Sequence, residues 1–157
     1  MGSLFFRNLL FTILQPGMVA GLIPFSIAGR SLKNIFAQPF LLHHFLGTFV
    51  FIAGFIITIV CIASFAMYGK GTLSPADPTK KLVIRGLYKF SRNPMYVGVT
   101  MMLMGEAIFF QSTALWAYAI IIFTAFNLFI IFFEEPRLRD DFGEEYKAYR
   151  EKVRRWI

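Results

Sequence analysis

Two polar islands in an otherwise apolar chain carry side chains of the kinds that hold a charged ligand. The first is Lys80 to Gly98, KKLVIRGLYKFSRNPMYVG, and the second is Glu134-Glu135, followed by Pro136. In the first, Asn93 directly precedes Pro94, the N-cap and N1 pairing that starts a helix. Free backbone donors and the positive dipole end at such a start favour an anionic group, for instance a carboxylate. The plainer alternative is a cap alone, with Arg92 reaching toward lipid phosphate. In the second island, two adjacent carboxylates at the C-terminal end of an apolar helix oppose its dipole and repel each other, so local stability does not explain them. A bound cation does: an amino group or sulfonium, since a metal wants more ligands at other spacings. Pairing of the acids with Arg137 and Arg139 is the competing explanation.

Tyr88 and Tyr96 supply aromatic faces near these groups, and aromatic faces beside acids suit a ligand that is both heterocyclic and cationic, as S-adenosylmethionine is. Glu106 is the sole acid within a long apolar run and is a functional candidate by default. Asn127 is its candidate partner, and because Asn127 and Glu134 are seven apart on one helix they would share a face. A protonated Glu106 clasped to Asn127 is the structural alternative. Arg92, Glu106 and Asn127 are therefore the candidates for a catalytic part.

No GxSxG, P-loop, GxGxxG or HExxH pattern occurs, which leaves serine hydrolase, nucleotide hydrolase, Rossmann dehydrogenase and zinc protease readings without support. No metal site is expected: Cys61 stands alone in an apolar run, and His43 and His44 are adjacent rather than spaced along one helix face.

The elements that must position these residues are membrane-spanning helices. The chain has 157 residues, is 57% hydrophobic, and carries no formal charge from Leu41 to Gly69 and only Glu106 between Gly98 and Phe133. Four spans are predicted. They are Leu4 to Ile27, kinked near Pro16 and Gly17; Phe40 to Tyr68; Pro94 to about Phe110, short for a crossing; and Ala114 to Phe133. A polar connection over Arg30, Ser31, Lys33 and Asn34 joins the first two, and a Gly- and Pro-punctuated loop, Gly69 to Pro78, follows the second. The Gln111-Ser112-Thr113 turn makes the last two spans an antiparallel hairpin. In the tail, Leu138, Phe142, Tyr146, Tyr149, Val153 and Trp156 recur at helical spacing with charges between them. This amphipathic helix lies on the headgroups, with Arg154 and Arg155 toward anionic lipid, or folds back over the loop, or is a solvated helix that merely closes the domain.

The fold class expected is thus an all-α polytopic membrane protein in one domain, 1–157. Residues 1–69 hold two spans, and 70–157 hold the hairpin, the ligand-binding region and the tail. The net charge of +7 has no nucleic-acid-binding motif beside it and fits topology instead. Loop 69–95 holds six lysines and arginines and the tail seven, against none in the 111–113 turn, which puts the two basic segments in the cytoplasm. Membrane lipids are the expected surroundings, and no nucleic-acid partner is expected.

LVIRGLYKFSRNPMYVG followed, after a hairpin, by EEPRLRDDFGEEYKAYREKV resembles the isoprenylcysteine carboxyl methyltransferase and phospholipid methyltransferase superfamily over roughly residues 70–157. The resemblance implies an integral membrane enzyme that binds S-adenosylmethionine in a cytosol-facing pocket and takes a lipophilic substrate from the bilayer. By family position it implies cofactor contacts at Lys80, Lys81, Leu82 and Val83, at Tyr88, at Asn93, Pro94, Met95 and Tyr96, and at Glu134 and Glu135. Two departures stand out. Many members have histidine where Asn93 stands, and asparagine hydrogen-bonds but does not titrate. The carboxyl-methylating members hold substrate with an arginine about one turn before the acids, where this chain has Ile130 and Ile131. The alternatives are an NADPH-dependent reductase of sterol-like lipids, with Lys80, Lys81, Arg85 and Lys89 as phosphate ligands, and a non-catalytic membrane scaffold.

Overall fold

The computed structural model describes residues 16–32, 39–64, 67–68 and 81–156. Every regular element among them is helical. The first expected span is described only from Pro16 onward, and the loop Gly69 to Pro78 and Lys80 lie outside the described residues. The kink expected near Pro16 and Gly17 falls slightly later. A wide π-turn, Met18–Leu22, contains Ala20 at φ −109°, ψ 20°, and leads into α1, Ile23–Leu32. Arg30 and Ser31, expected in a connection, are thus the end of a helix.

Helix α2, Leu42–Ser64, is followed at a distance in sequence by a 3-10 turn, Gly86–Lys89, and by α3, Pro94–Phe110. Asn93 and Pro94 stand at N-cap and N1 of α3, as their types require. At the other end Gln111 adopts a left-handed conformation, φ 46°, and its N–H bonds back to the Ala107 and Ile108 carbonyls. Ser112 then caps α4, Thr113–Phe129, by accepting the Leu115 N–H at 3.4 Å. With only two residues between them, α3 and α4 run antiparallel, and the Tyr96 ring meets Phe126 with centroids 4.8 Å apart. A second π-turn, Ile130–Glu134, joins α4 to α5, Glu135–Lys152. Inside α5, Gly143 at φ +48°, ψ −120° breaks the axis and turns the tail back.

Backbone contact between α2 and α3 is close because glycines face each other. A Cβ on Gly54 would lie 2.5 Å from the Gly98 carbonyl, and one on Gly47 would lie 2.7 Å from the Gly105 carbonyl. Both glycine pairs are seven residues apart on their own helices, so each presents two gaps on one face, and the helices dock through them. A buried cluster of Ala20, Val99, Met102, Leu103 and Ala119 fills the space among the N-terminal turn, α3 and α4.

Two continuous helices, Leu42–Ser64 and the one starting at Thr113, are long and apolar enough to cross a bilayer. Their large side chains point outward: Leu42, Phe45, Phe49, Ile120, Ile121, Phe132 and Phe133 are all exposed, Leu42 to 82%. So much contiguous apolar surface is unfavourable against water and natural against lipid tails.

Candidate functional site

The two polar islands meet at the end of the hairpin where α3 begins and α4 ends. Tyr96, one turn into α3, donates its hydroxyl to Glu134 Oε2 at 2.9 Å. The π-turn makes this possible. It holds one more residue than an α-helical turn, so Glu134 follows Phe126 and Ile130 on the face toward Tyr96 rather than following Asn127.

Glu135, the next residue, turns the other way and is met by two guanidinium groups. Arg155 grips it with both arms, Nε to Oε1 at 2.8 Å and Nη2 to Oε2 at 3.0 Å, and Arg92 Nη1 stands 3.2 Å from Oε1. The Glu135 and Arg92 side chains are 5% and 9% exposed, so this is a buried ion pair and not a surface one. Burial opposes the Glu135 charge, but the Arg155 hydrogen bonds and the Arg92 charge outweigh it and hold this carboxyl below its ordinary value. For Glu134 burial wins: the Tyr96 hydrogen bond offsets it only in part, the neighbouring Glu135 charge adds to it, and the carboxyl is raised. Among the described residues no lysine or arginine lies within ion-pair distance of Glu134. The competing explanation, pairing of the acids with Arg137 and Arg139, therefore finds no ion pair among the described residues, although the Arg137 charge still acts in part against the rise at Glu134. Arg137 instead pairs with Asp141 at 3.6 Å on the exposed side of α5.

The tail closes over this corner. Its end supplies carbonyls to the loop before α3: Arg92 N–H donates to Arg154 O at 2.9 Å, Asn93 Nδ2 to Arg155 O at 3.0 Å, and Ser91 Oγ to Arg155 O at 3.3 Å. Tyr149 donates its hydroxyl to the Tyr88 carbonyl at 2.6 Å, and Arg92 Nη1 donates to the Tyr146 hydroxyl at 3.1 Å. Trp156 returns against Phe123, ring centroids 5.1 Å apart. The tail thus packs on residues 82–93, and Arg155 faces Glu135 instead of lipid; the part of that expectation concerning Gly69 to Pro78 lies outside the described residues.

The other expected contacts distribute as follows. Lys81 is exposed, while Leu82, Val83 and Ile84 alternate as an extended segment does. Val83 packs with Cys61 and Tyr88 under α2, and Leu82 and Ile84 pack on Tyr146, Tyr149 and Val153. Tyr88 is buried, with its hydroxyl against the Cys61 thiol and within electrostatic range of Glu134. Asn93 and Pro94 are buried and Met95 and Tyr96 half-buried. Asn93 holds the cap position, but its amide is spent on the Arg155 carbonyl and makes no side-chain cap.

Glu106 and Asn127 do not come together. Asn127 Nδ2 donates within its own helix to the Phe123 carbonyl at 2.9 Å. Glu106 lies ten residues beyond Tyr96, about 15 Å along the α3 axis. It faces a groove with Gly47, Thr48 and Phe51 of α2, level with Tyr118 of α4. The antiparallel hairpin puts residue 106 opposite 118 and residue 96 opposite 126, so partners for the two sites come from opposite ends of α4.

The phospholipid methyltransferase family profile matches residues 42–145, which span α2, the hairpin and the first part of α5. The chain belongs to the phospholipid methyltransferase family. An uncharacterized protein of Haemophilus influenzae is 35% identical over 63 residues, covering 40% of this chain and 100% of that protein. No solved structure matches. Membership implies methyltransferase activity at a membrane, consistent with the outward apolar faces of α2 and α4. The family match ends just before Tyr146, Tyr149 and Arg155, so the residues that lock the corner lie beyond it. Sequence reasoning passed over Arg155 as lipid-facing and did not single out Ser91 or the glycine pairs. For the glycines a signal was present, a spacing of seven within two apolar runs.

Proposed function

We propose that this protein is an S-adenosylmethionine-dependent methyltransferase whose substrate is a small lipophilic or lipid-like molecule drawn from the bilayer. The observation that carries the reading is the unequal treatment of two neighbouring acids. Glu135 is neutralised by Arg92 and Arg155, whereas the ionisation of Glu134 is opposed by burial and, among the described residues, its hydrogen bond is the one from the Tyr96 hydroxyl. A half-buried carboxyl in that condition is electrostatically unfinished when ionised, and a ligand bearing an ammonium or sulfonium favours and completes the ionised form. The donor set thus fits the cationic end of S-adenosylmethionine, which supplies a methyl group already activated on sulfur.

The roles divide accordingly. Glu134 receives the cationic group, Tyr96 fixes the carboxylate rotamer through its hydroxyl, and Tyr88, Asn93, Pro94 and Met95 form the adjoining wall. Glu135, Arg92 and Arg155 hold the start of α3 against the end of the tail. Alignment in a dry corner supplies much of the rate for a transfer of this kind, and no dedicated base is required. The NADPH reading would draw on Lys80, Lys81, Arg85 and Lys89, of which Arg85 lies over the Tyr68 ring at 5.1 Å, and it leaves the acid at Glu134 without a role.

A direct competition on the purified protein in lipid nanodiscs distinguishes these cofactors. Saturable binding of S-adenosylmethionine that excess NADPH does not displace is expected. Binding of NADPH in preference to it refutes the proposal.

A further inference from the structure

We propose that the groove beside Glu106 is a second ligand site, separate from the Glu134 corner, which takes a protonated amine carried on an apolar chain. The groove has a volume of about 180 Å³ and is lined by Gly47, Thr48, Phe51, Glu106, Phe109 and Phe110, with Gly105 at its floor. Glu106 Oε2 is buried there and has no hydrogen-bond partner among the described residues.

The described polar groups near it are committed elsewhere. Thr48 Oγ1 donates to the His44 carbonyl at 2.8 Å, Tyr118 donates to the Val19 carbonyl at 3.0 Å, and the His44 Nδ1 accepts the Leu41 N–H at 3.0 Å. Among the described residues no lysine or arginine lies within ion-pair distance of Glu106. An orphaned carboxyl oxygen in an apolar groove is costly unless something donates to it.

The rest of the lining selects the donor. Phe51, Phe109 and Phe110 line the groove together with the acid, and aromatic faces attract a cation. Glycines 47 and 105 close the base of the groove by letting α2 and α3 touch there, since a Cβ on either would lie 2.6 Å from the opposing backbone, at Phe109 N or Phe51 N. The exposed Phe40 has its ring centroid 6.4 Å from that of the lining Phe109, so an apolar chain has a surface to lie along. The ligand is therefore an amphiphile with a basic nitrogen at one end.

Hydrophobic carbodiimide labelling tests this without any methyl transfer. Dicyclohexylcarbodiimide adds a carboxyl O–H across its C=N bond, the proton going to nitrogen. The acyl group then migrates to nitrogen, leaving a stable N-acylurea with nothing lost. The full-length protein in nanodiscs is treated with this reagent, and the Glu106 peptide is followed by mass spectrometry. N,N-dimethyldodecylamine, which cannot form an amide, should slow labelling of Glu106 at least fivefold, with dodecanol at the same mole fraction changing it less than twofold. Glu134→Gln should leave that protection intact, which separates this site from the cofactor corner. Equal protection by dodecanol, no protection by the amine, a Glu106 that never labels, or loss of protection in Glu134→Gln overturns the proposal.

Discussion

Glu134 and Glu135 are neighbours in the chain and opposites in environment, and that contrast carries the site. The Glu135 clamp has a definite pH signature. Its folded carboxyl lies below the ordinary value of 4.5, so the stability it contributes is fully present above that pH and is lost as pH falls through the depressed value. Glu134 is raised and has the opposite sign: its contribution is present at low pH and lost as pH climbs through the raised value. Glu135→Gln strands Arg92 beside an amide, and breaking a buried pair in this way costs about 3 to 5 kcal/mol. Thermal unfolding in detergent should show the variant well below the parent at pH 7, with the gap narrowing below pH 4.5. A constant gap across that range contradicts the clamp. Asn93-Pro94 was legible in the sequence because capping is a matter of adjacent residues. The Arg155–Glu135 pair was not, because it needs a return of the chain across 20 residues through Gly143.

At the scale of elements, the hairpin and its short turn were readable from apolar runs and from Gln111-Ser112. The π-turn was not, since five apolar and acidic residues carry no mark of a widened turn, and it changes which face Glu134 shares. The glycine pairs set how closely α2 and α3 approach, and this is testable. A Cβ on Gly98 would lie 2.5 Å from Thr58 Oγ1 and 2.8 Å from the Gly54 carbonyl, backbone that cannot move without parting the helices. Gly98→Ala should therefore destabilise by about 1 to 3 kcal/mol, the usual cost of overpacking. Gly21→Ala, with open space at its Cβ, should be nearly silent by the same unfolding measurement. Equal effects at the two positions would contradict the docking described.

For the whole molecule, composition already pointed to lipid, and the outward faces of α2 and α4 agree with it. The structure adds that the two basic segments adjoin at one end of the hairpin, through Arg92 and Arg154 and through Tyr88 and Tyr149. With the positive-inside preference, that end is expected in the cytoplasm and the Gln111-Ser112 turn across the membrane. Single cysteines at Thr113 and Lys147, both exposed, report on this in intact cells with a membrane-impermeant maleimide. Thr113→Cys should label from outside and Lys147→Cys only after permeabilisation; the reverse pattern inverts the topology. The most direct test of the central claim is S-adenosylmethionine binding to the parent and to Glu134→Gln in nanodiscs, with unfolding temperature followed in parallel. Saturable binding by the parent, weakened at least tenfold in a variant of unchanged stability, is predicted, a loss of about 1.4 kcal/mol or more. Equal binding by both proteins, or none by the folded parent, would contradict it.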